Sequence, residues 1–142
     1  MQLTQFTDYS LRALIFIAIK KQSCTINEIS TAYGLSENHV VKIIHNLAKL
    51  GLINTTRGKN GGITMAVDPA DINIKAAVLK LESHFDLVPC FNKEKQNCII
   101  APVCILKHVL HDARKAFFDV LEKYTLADMI KNQTELKPLL QI

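Results

Sequence analysis

One segment in the first half of the sequence restricts the possible folds more than any other. Thr25 and Glu28 have the spacing of a capping box, which opens a short helix, and Gly34 supplies a sharp turn after it. Ser36 can cap a further helix that Gly51 ends, with hydrophobic residues at one-face spacing: Val40, Ile43, Ile44 and Leu47. Two helices joined by a glycine turn in this way are typical of a helix-turn-helix.

Two runs with strand character follow this motif, at residues 52–56 and 62–66. The loop between them, Arg57-Gly-Lys-Asn-Gly61, is rich in residues that tolerate positive φ, as the turn of a hairpin requires. A hairpin placed directly after a helix-turn-helix is a wing, so we predict a winged helix at the start of the chain.

Most of the chain's net positive charge, +3 of +4, lies in the second helix of the motif and the wing. The sequence contains 17 Lys and Arg and 13 Asp and Glu, which gives a formal net charge of +4. Residues 36–66 contain four basic side chains and a single acidic one, Glu37. A basic surface on a helix-turn-helix indicates binding to double-stranded DNA. A winged helix used for protein contact, with glycines that merely close the hairpin, is the alternative.

We expect the second helix of the motif to enter the major groove with its first turns. Asn38 or His39 can reach base edges there, whereas Lys42 suits a phosphate. Arg57 and Lys59 suit the minor groove or the backbone. The candidate DNA-binding residues are therefore Ser36, Asn38, His39, Val41, Lys42, Arg57 and Lys59.

A helix that precedes the motif is apolar on nearly all of its faces. Thr7 or Asp8 can cap this helix, which runs to about Lys20. Its apolar residues are Leu11, Ala13, Leu14, Ile15, Phe16, Ile17 and Ala18. Such a helix must be covered on several sides, so we expect it to lie between the DNA-binding unit and something else, such as another subunit.

The chain has no visible signal peptide, and no stretch approaches the ~20 apolar residues of a membrane span. We therefore expect a cytoplasmic protein that does not bind membranes. Reducing conditions disfavour structural disulfides there, so clustered cysteines are metal ligands or redox thiols. Cys24 stands apart from the other cysteines and is expected to be a small buried filler.

Three cysteines, Cys90, Cys98 and Cys104, have the spacing Cys-x7-Cys-x5-Cys. This spacing is too open for the paired ligands of a zinc site. Iron-sulfur clusters accept it, because each thiolate binds a different corner and one iron tolerates a non-cysteine ligand. That corner is more readily attacked by a small molecule such as nitric oxide. The alternative is three free or occasionally oxidised cysteines near a surface loop.

A long helix is predicted after Cys104, with the spacing of a coiled-coil seam along one side: Leu106, Leu110, Ala113, Phe117, Val120 and Tyr124. The seam can pack on its twin in a symmetric homodimer, which favours a palindromic operator, or within one chain as an amphipathic helix. A shorter helix is expected at residues 72–82, and Thr125 can cap a last short helix at residues 126–130.

The expected fold is mainly α with a small β-hairpin wing: a winged helix-turn-helix plus a long C-terminal dimerisation helix. We divide the chain into a DNA-binding domain at residues 1–67, a linker helix with a cluster-binding loop at 68–104, and a dimerisation helix with a C-terminal short helix at 105–142. No second catalytic constellation is visible, which disfavours an enzyme or an electron carrier.

Four stretches carry a resemblance to a known family: MQLTQFTDYSLRAL, GLINTTRGKNGGI, APVCILK and YTLADMI. Over nearly all 142 residues the chain resembles the winged-helix iron-sulfur repressors, and their nitric-oxide-responsive branch more than the IscR-like branch. The resemblance implies a repressor of nitrosative-stress genes that binds operator DNA as a homodimer with an iron-sulfur cluster, 4Fe-4S rather than 2Fe-2S. An iron-sulfur or redox-sensing regulator of the IscR type is the alternative.

The fourth cluster ligand separates the two branches. IscR-like proteins have a histidine three residues after the last cysteine, where this chain has Lys107; His108 is one residue late and rotated about 100° around the helix. The nitric-oxide-responsive branch implies an aspartate near the N-terminus, given by the other subunit, and Asp8 matches it. The sequence alone would make Asp8 a helix cap. The family usually has fewer residues between the first two cysteines, but a longer loop costs only about 0.6 kcal/mol per doubling.

Overall fold

The computed structural model of the protein describes residues 2–58, 61–92, 94 and 97–142. Within these residues the chain forms a two-stranded hairpin and seven α-helices, which confirms the mainly α fold with a small wing. The elements are α1 (Gln5–Lys20), α2 (Ile26–Tyr33), α3 (Glu37–Lys49), β1 (Ile53–Thr56), β2 (Gly62–Met65), α4 (Ile74–Leu81), α5 (Ile105–Leu121), α6 (Leu126–Met129) and α7 (Gln133–Leu140).

The helix-turn-helix forms as the sequence predicts. Thr25 and Glu28 make both hydrogen bonds of the capping box at the start of α2. Gly34 ends α2 at a φ of 64°, in the left-handed region that favours glycine, and the hydroxyl of Ser36 accepts from the backbone N–H of His39 to cap α3. α3 buries the predicted face against α1 and α2: Val40, Ile43, Ile44 and Leu47.

The wing is an antiparallel hairpin that is fixed to the chain just before α2. The backbone N–H of Cys24 donates to the carbonyl of Ile63 in β2 at 3.0 Å, and the N–H of Ile63 donates back to the carbonyl of Cys24 at 2.8 Å. Gly62 permits this close approach, because a Cβ there would lie 2.9 Å from Cβ of Ser23. The wing and the helix-turn-helix are thus held together by backbone hydrogen bonds.

The start of α1 differs from the prediction. Thr4 is the cap, with its hydroxyl accepting from the backbone N–H of Thr7, so the prediction that Thr7 or Asp8 caps this helix is wrong. The physical reason lies far along the chain. The carboxylate of Glu82, just after α4, accepts hydrogen bonds from both the backbone N–H and the hydroxyl of Thr4, at 3.0 and 3.1 Å.

α1 is covered on several sides, as its apolar sequence requires. Its buried hydrophobic residues are Ala13, Leu14, Phe16, Ile17, Ala18 and Ile19. α3 and β2 cover one part of the helix, and α4, α6 and α7 cover another. The second covering layer therefore comes from the same chain. α7, which has no counterpart among the predicted helices, adds the buried Leu140 to the common core.

The long helix α5 begins directly after Cys104, as predicted, but ends at Leu121. The prediction that the helix continues to Tyr124 is wrong, because the side chain of Asn73 donates to the carbonyls of Glu122 and Tyr124, at 2.7 and 3.3 Å. The N–H of Ile74 also donates to the carbonyl of Tyr124, at 3.0 Å. These contacts draw the chain out of the helix and toward α6.

Among the described residues, no helix combines the length and the apolar character that a membrane crossing needs.

Candidate DNA-binding surface and metal-binding segment

The candidate DNA-contacting residues of α3 share one exposed side of the helix. Asn38, His39, Val41 and Lys42 are exposed, and the buried face of α3 points the other way. The exposed Ser36 stands at the start of the same helix, where its hydroxyl is used in capping. The positive end of the helix dipole lies there too, which favours an approaching phosphate.

On the wing, Arg57 is exposed immediately after β1. The prediction for Lys59 lies outside the described residues. Thr56 closes the described end of the hairpin, because its hydroxyl accepts from the backbone N–H of Gly62 at 3.1 Å. The structure therefore gathers the α3 candidates on one side and puts Arg57 on the separate wing.

The acidic residue at the start of α3 is fixed against α2. Oε1 of Glu37 accepts a hydrogen bond from the side-chain amide of Asn27 at 2.8 Å. This contact joins the first turns of α2 and α3.

Two polar contacts hold α1 to α2. Lys20 forms an ion pair with Glu28, and the hydrogen bond from Lys20 lowers the pKa of Glu28, so this carboxylate stays ionised at neutral pH. Tyr33 donates its hydroxyl to the backbone carbonyl of Arg12 at 3.0 Å, and burial raises the pKa of Tyr33 to about 12. α1 is therefore joined to α2 both in the first turn of α2 and at its last residue.

Asp8 lies in the first turn of α1 and is paired with Arg12. Its Oδ2 lies 2.8 Å from Nη2 of Arg12, and its Oδ1 accepts from Nε of Arg12 at 3.0 Å. The side chains of this pair are 42% and 46% exposed, so the carboxylate remains accessible to a ligand from outside the chain. In the single chain Asp8 is a partner of Arg12 and not a cap.

A cleft of about 240 Å³ separates the start of α1 from α3. Gln5 and Tyr9 line it from α1, and His39 and Lys42 line it from α3. The sequence predicts that α1 lies against the DNA-binding unit, but not that its polar residues Gln5 and Tyr9 meet the exposed side of α3. Its apolar pattern shows which residues face a core, but it carries no signal for which neighbour the polar residues meet.

The three clustered cysteines lie in three different local structures. Cys90 is half-buried in a short 3-10 turn, Pro89–Phe91. Cys98 is exposed, and its carbonyl accepts from the N–H of Ala101 at 3.2 Å. Cys104 caps α5, with its Sγ accepting from the backbone N–H of Lys107 at 3.4 Å. All three thiols are free, and none of them is buried.

These residues fit an iron-sulfur cluster by their chemistry as donors. In the described part of the chain, no three His, Cys, Asp or Glu side chains are gathered closely enough to hold a metal ion. Three free, accessible thiols within residues 90–104 nevertheless offer the soft ligands that such a cluster takes. The backbone N–H donated to Cys104 is of the kind that stabilises a metal-bound thiolate. Cluster binding would have to draw the three sulfurs together.

The side of α5 that carries the predicted seam is largely exposed. Within this fully described helix no residue is buried. Leu106 is 63% exposed and Val120 is 51% exposed, Ala113 is exposed, and Leu110 and Phe117 are half-buried. Tyr124, beyond the helix, is 44% exposed. An apolar surface of this kind marks a contact with another molecule.

The chain matches a known family and known proteins over nearly all of its length. Residues 3–132 match the Rrf2 family model, described as an iron-dependent transcriptional regulator. The HTH-type transcriptional regulator NsrR of Halalkalibacterium halodurans is 48% identical over 144 residues, which cover 100% of this chain and 99% of the relative. NsrR of Bacillus licheniformis is 49% identical over 142 residues, with 99% of each chain covered.

A solved structure, T. potens IscR, has the same fold, with a TM-score of 0.73 and 26% sequence identity over 94% of this chain and 88% of that chain. The likeness to these proteins extends across the helix-turn-helix, the cysteine segment and α5. It confirms the resemblance that the sequence motifs carry.

Proposed function

The chain belongs to the Rrf2 family of iron-dependent transcriptional regulators, and on this basis we propose that it is a nitric-oxide-sensing repressor that holds operator DNA while it carries an iron-sulfur cluster. It is a DNA-binding regulator of transcription and not an enzyme. We propose in addition that nitric oxide is its signal, that an iron-sulfur cluster is its cofactor, and that it acts as a homodimer in the cytoplasm.

One observation carries the proposal: three free thiols in residues 90–104 share a chain with an exposed, basic side of α3, and the likeness to NsrR spans both. Cys90, Cys98 and Cys104 of one subunit and Asp8 of the partner subunit would hold a 4Fe-4S cluster. When bound, the cluster supplies an iron whose carboxylate ligand is displaced by nitric oxide more readily than a thiolate is.

The contacts of α1 provide a route from Asp8 to DNA. Asp8 would exchange its ion pair with Arg12 for a bond in the other subunit, which fixes the start of α1. The contacts of Lys20 with Glu28 and of Tyr33 with α1 then fix α2, and α2 fixes α3. Release of Asp8 would free α1, and the two α3 helices would lose the spacing of about 34 Å that successive major grooves require.

The exposed seam of α5 supports the homodimer on which this route depends. In our assignment residues 1–67 bind DNA, residues 68–104 hold the cluster, and residues 105–142 hold the two subunits together. Two copies related by a two-fold axis would present two α3 helices and two wings, which suits a palindromic operator.

The proposed function is tested with protein purified without oxygen. An operator duplex is first selected from a random DNA library by the protein as isolated. We expect iron and acid-labile sulfide in the protein, bleaching of its visible absorption by nitric oxide, and loss of operator affinity in step with the bleaching. Failure to take up iron and sulfide contradicts the proposal, and so does an operator affinity that stays unchanged when the absorption is bleached. Affinity that follows iron supply or redox state but not nitric oxide supports the IscR-type alternative.

The role of Asp8 is tested separately with Asp8→Ala and a matched variant. Asp119→Ala breaks a comparable ion pair on a helix, between Lys115 and Asp119 four residues apart on α5, without touching α1. We expect both variants to unfold much as the wild type does, and only Asp8→Ala to alter the spectrum of the cluster or its reaction with nitric oxide. An unchanged spectrum and reaction would leave Asp8 with a structural role only.

A further inference from the structure

Arg114 of α5 contacts the chain on both sides of Cys90. Its Nη1 donates to the backbone carbonyl of Phe85 at 3.4 Å, and its Cζ lies 4.6 Å from the ring centroid of Phe91. At this distance the guanidinium makes a cation-π interaction with Phe91, the residue that follows Cys90. One side chain therefore bridges two points that flank the cysteine.

The ring of Phe91 is held against α5 by a second side chain as well. His111 lies three residues before Arg114, on the same side of the helix, and its ring meets that of Phe91 edge-on at 6.4 Å. The backbone of Phe91 is fixed in turn, because its N–H donates to the carbonyl of Val88 at 3.0 Å. Cys90 thus lies in a closed turn whose last residue is docked on α5.

The other end of this stretch also packs on α5. The ring of Phe85 meets Phe118 edge-on at 4.8 Å, and Phe118 lies one turn after Arg114. Cys104 begins the same helix. A single helix therefore carries one cysteine at its start and fixes the turn of another along its side.

Charge pairing does not explain where Arg114 lies. Among the described residues, no carboxylate is within ion-pair distance of its guanidinium, whereas Lys115 next to it pairs with Asp119. The partners of Arg114 are the aromatic face of Phe91, directly after Cys90, and the backbone carbonyl of Phe85, before it.

We propose that Arg114 is a positioning residue for Cys90, acting through Phe91. The proposal rests on the proposed function, in which Cys90 is a cluster ligand. Seven residues separate Cys90 from Cys98, and a docked Phe91 reduces the length of chain that cluster binding must order. Arg114 thereby fixes one ligand in advance.

The first test needs no cluster. Cluster-free protein is treated with iodoacetamide, and the rate of alkylation is measured at each cysteine by mass spectrometry of peptides. We expect Arg114→Ala and Phe91→Leu to raise the rate at Cys90 by about two- to fivefold, the equilibrium effect of losing an exposed cation-π contact. Phe91→Tyr keeps the aromatic face and should retain the wild-type rate. The buried Cys24 should stay unreactive in every variant, which verifies that each one is folded.

Lys115→Ala is the matched control, since it removes a neighbouring positive charge of α5 that does not touch Phe91. Its alkylation rate at Cys90 should equal that of the wild type. If Arg114→Ala and Phe91→Leu also leave the rate at Cys90 unchanged, the proposal is overturned. Should Arg114→Ala fail to fold, Phe91→Leu against Phe91→Tyr decides the same question.

The second test uses reconstituted protein. We expect Arg114→Ala to hold less iron and sulfide than Lys115→Ala and to show a changed visible circular dichroism spectrum, with the spectrum of Phe91→Tyr matching the wild type. Wild-type content and spectrum in Arg114→Ala would overturn the role of Arg114. If the wild type itself takes up no iron and sulfide, the proposed function fails, and the alkylation rates still show whether Arg114 holds Cys90.

Discussion

Asn38 and Lys42 lie one turn apart on the exposed side of α3, and their side chains interact with DNA in different ways. An amide can pair with the edge of adenine, whereas an ammonium group is attracted to any phosphate. We therefore expect Asn38→Ala to weaken binding to the selected operator by about 1–3 kcal/mol and to relax the preference at one base pair. Lys42→Ala should weaken binding to the operator and to an unrelated duplex alike, and lower the salt slope by about 1.

These two effects are measured by fluorescence anisotropy over a range of KCl concentrations. Lys80→Ala is the control, because Lys80 is also exposed on a helix but lies in α4, away from the motif. An operator-specific loss in Lys42→Ala, with no change in salt slope, would contradict the phosphate role. An unaltered base preference in Asn38→Ala would remove it from the base-reading set.

Cys24 gives a prediction about pH. This thiol is 1% exposed, and burial raises its pKa from 9.0 to about 11. Because the pKa in the folded state lies above that in the unfolded state, the stabilisation is complete below pH 9 and is lost as the pH rises toward 11. Between pH 8 and pH 10 the free energy of unfolding should fall by about 1 kcal/mol more in the wild type than in Cys24→Ala.

The measurement for Cys24 is urea denaturation in the presence of a reductant at the two pH values. Tyr33 titrates in a neighbouring range, since burial raises its pKa to about 12, and the comparison with Cys24→Ala removes that common contribution. Equal losses of stability in the two proteins would show that Cys24 ionises alike in the folded and unfolded states.

Residues whose partners are close in sequence were predictable, and those with distant partners were not. Thr25 and Glu28 of the capping box are only three residues apart, so the pair can be recognised in the sequence as a motif. Thr4 caps α1 with the help of Glu82, 78 residues away, and nothing near Thr4 in the sequence shows this partner. Asp8, the more typical cap, is instead drawn to Arg12.

Among the helices, α7 gives the clearest stability prediction. Leu140 is buried against the core, while its neighbour Leu139 is 75% exposed. Leu140→Ala should lower the free energy of unfolding by about 2–3 kcal/mol, since it removes buried apolar volume and leaves a cavity. Leu139→Ala, the matched control, should change stability by less than about 0.5 kcal/mol. Urea denaturation measures both, and similar losses would mean that α7 does not cover the core as described.

The helices with strong local signals were predicted, and α7 was not. α2 and α3 have caps and a hydrophobic face that repeats over their whole length. α7 has no side-chain cap, contains Pro138, and is short, so its sequence favours a loop as much as a helix. Its formation depends on the packing of Leu140 beside α1 and α2, which is a tertiary effect. The same limitation explains the wrong prediction that α5 reaches Tyr124, because the hydrogen bonds that end α5 come from Asn73, which is distant in sequence.

For the molecule as a whole, the sequence predicted which residues are candidate ligands but not how they are arranged. The spacing of the cysteines indicated a metal centre, and the structure leaves their thiols free and separate within its described residues. A cluster contributes the bonds that bring its ligands together, so no pattern in the apolar residues can encode that arrangement in advance. The sequence likewise predicted that α1 must be covered on several sides, but not that helices from the C-terminal half of the same chain cover it.

The exposed apolar side of α5 leads to the last prediction, which concerns assembly. Leu106 is 63% exposed and Val109 is 56% exposed on a helix that has no buried residue. In a symmetric dimer each substitution acts twice, and a carboxylate placed in the seam would be buried without a partner. We expect Leu106→Asp to lower the affinity of dimerisation by about tenfold or more, as measured by sedimentation velocity over a range of concentrations. Leu79→Asp is the control, because Leu79 is 46% exposed on α4.

Since each subunit would supply one α3 to a palindrome, binding to the full operator should fall with dimerisation, whereas binding to an isolated half-site should not. A Leu106→Asp protein that still sediments as a dimer would exclude this side of α5 as the interface.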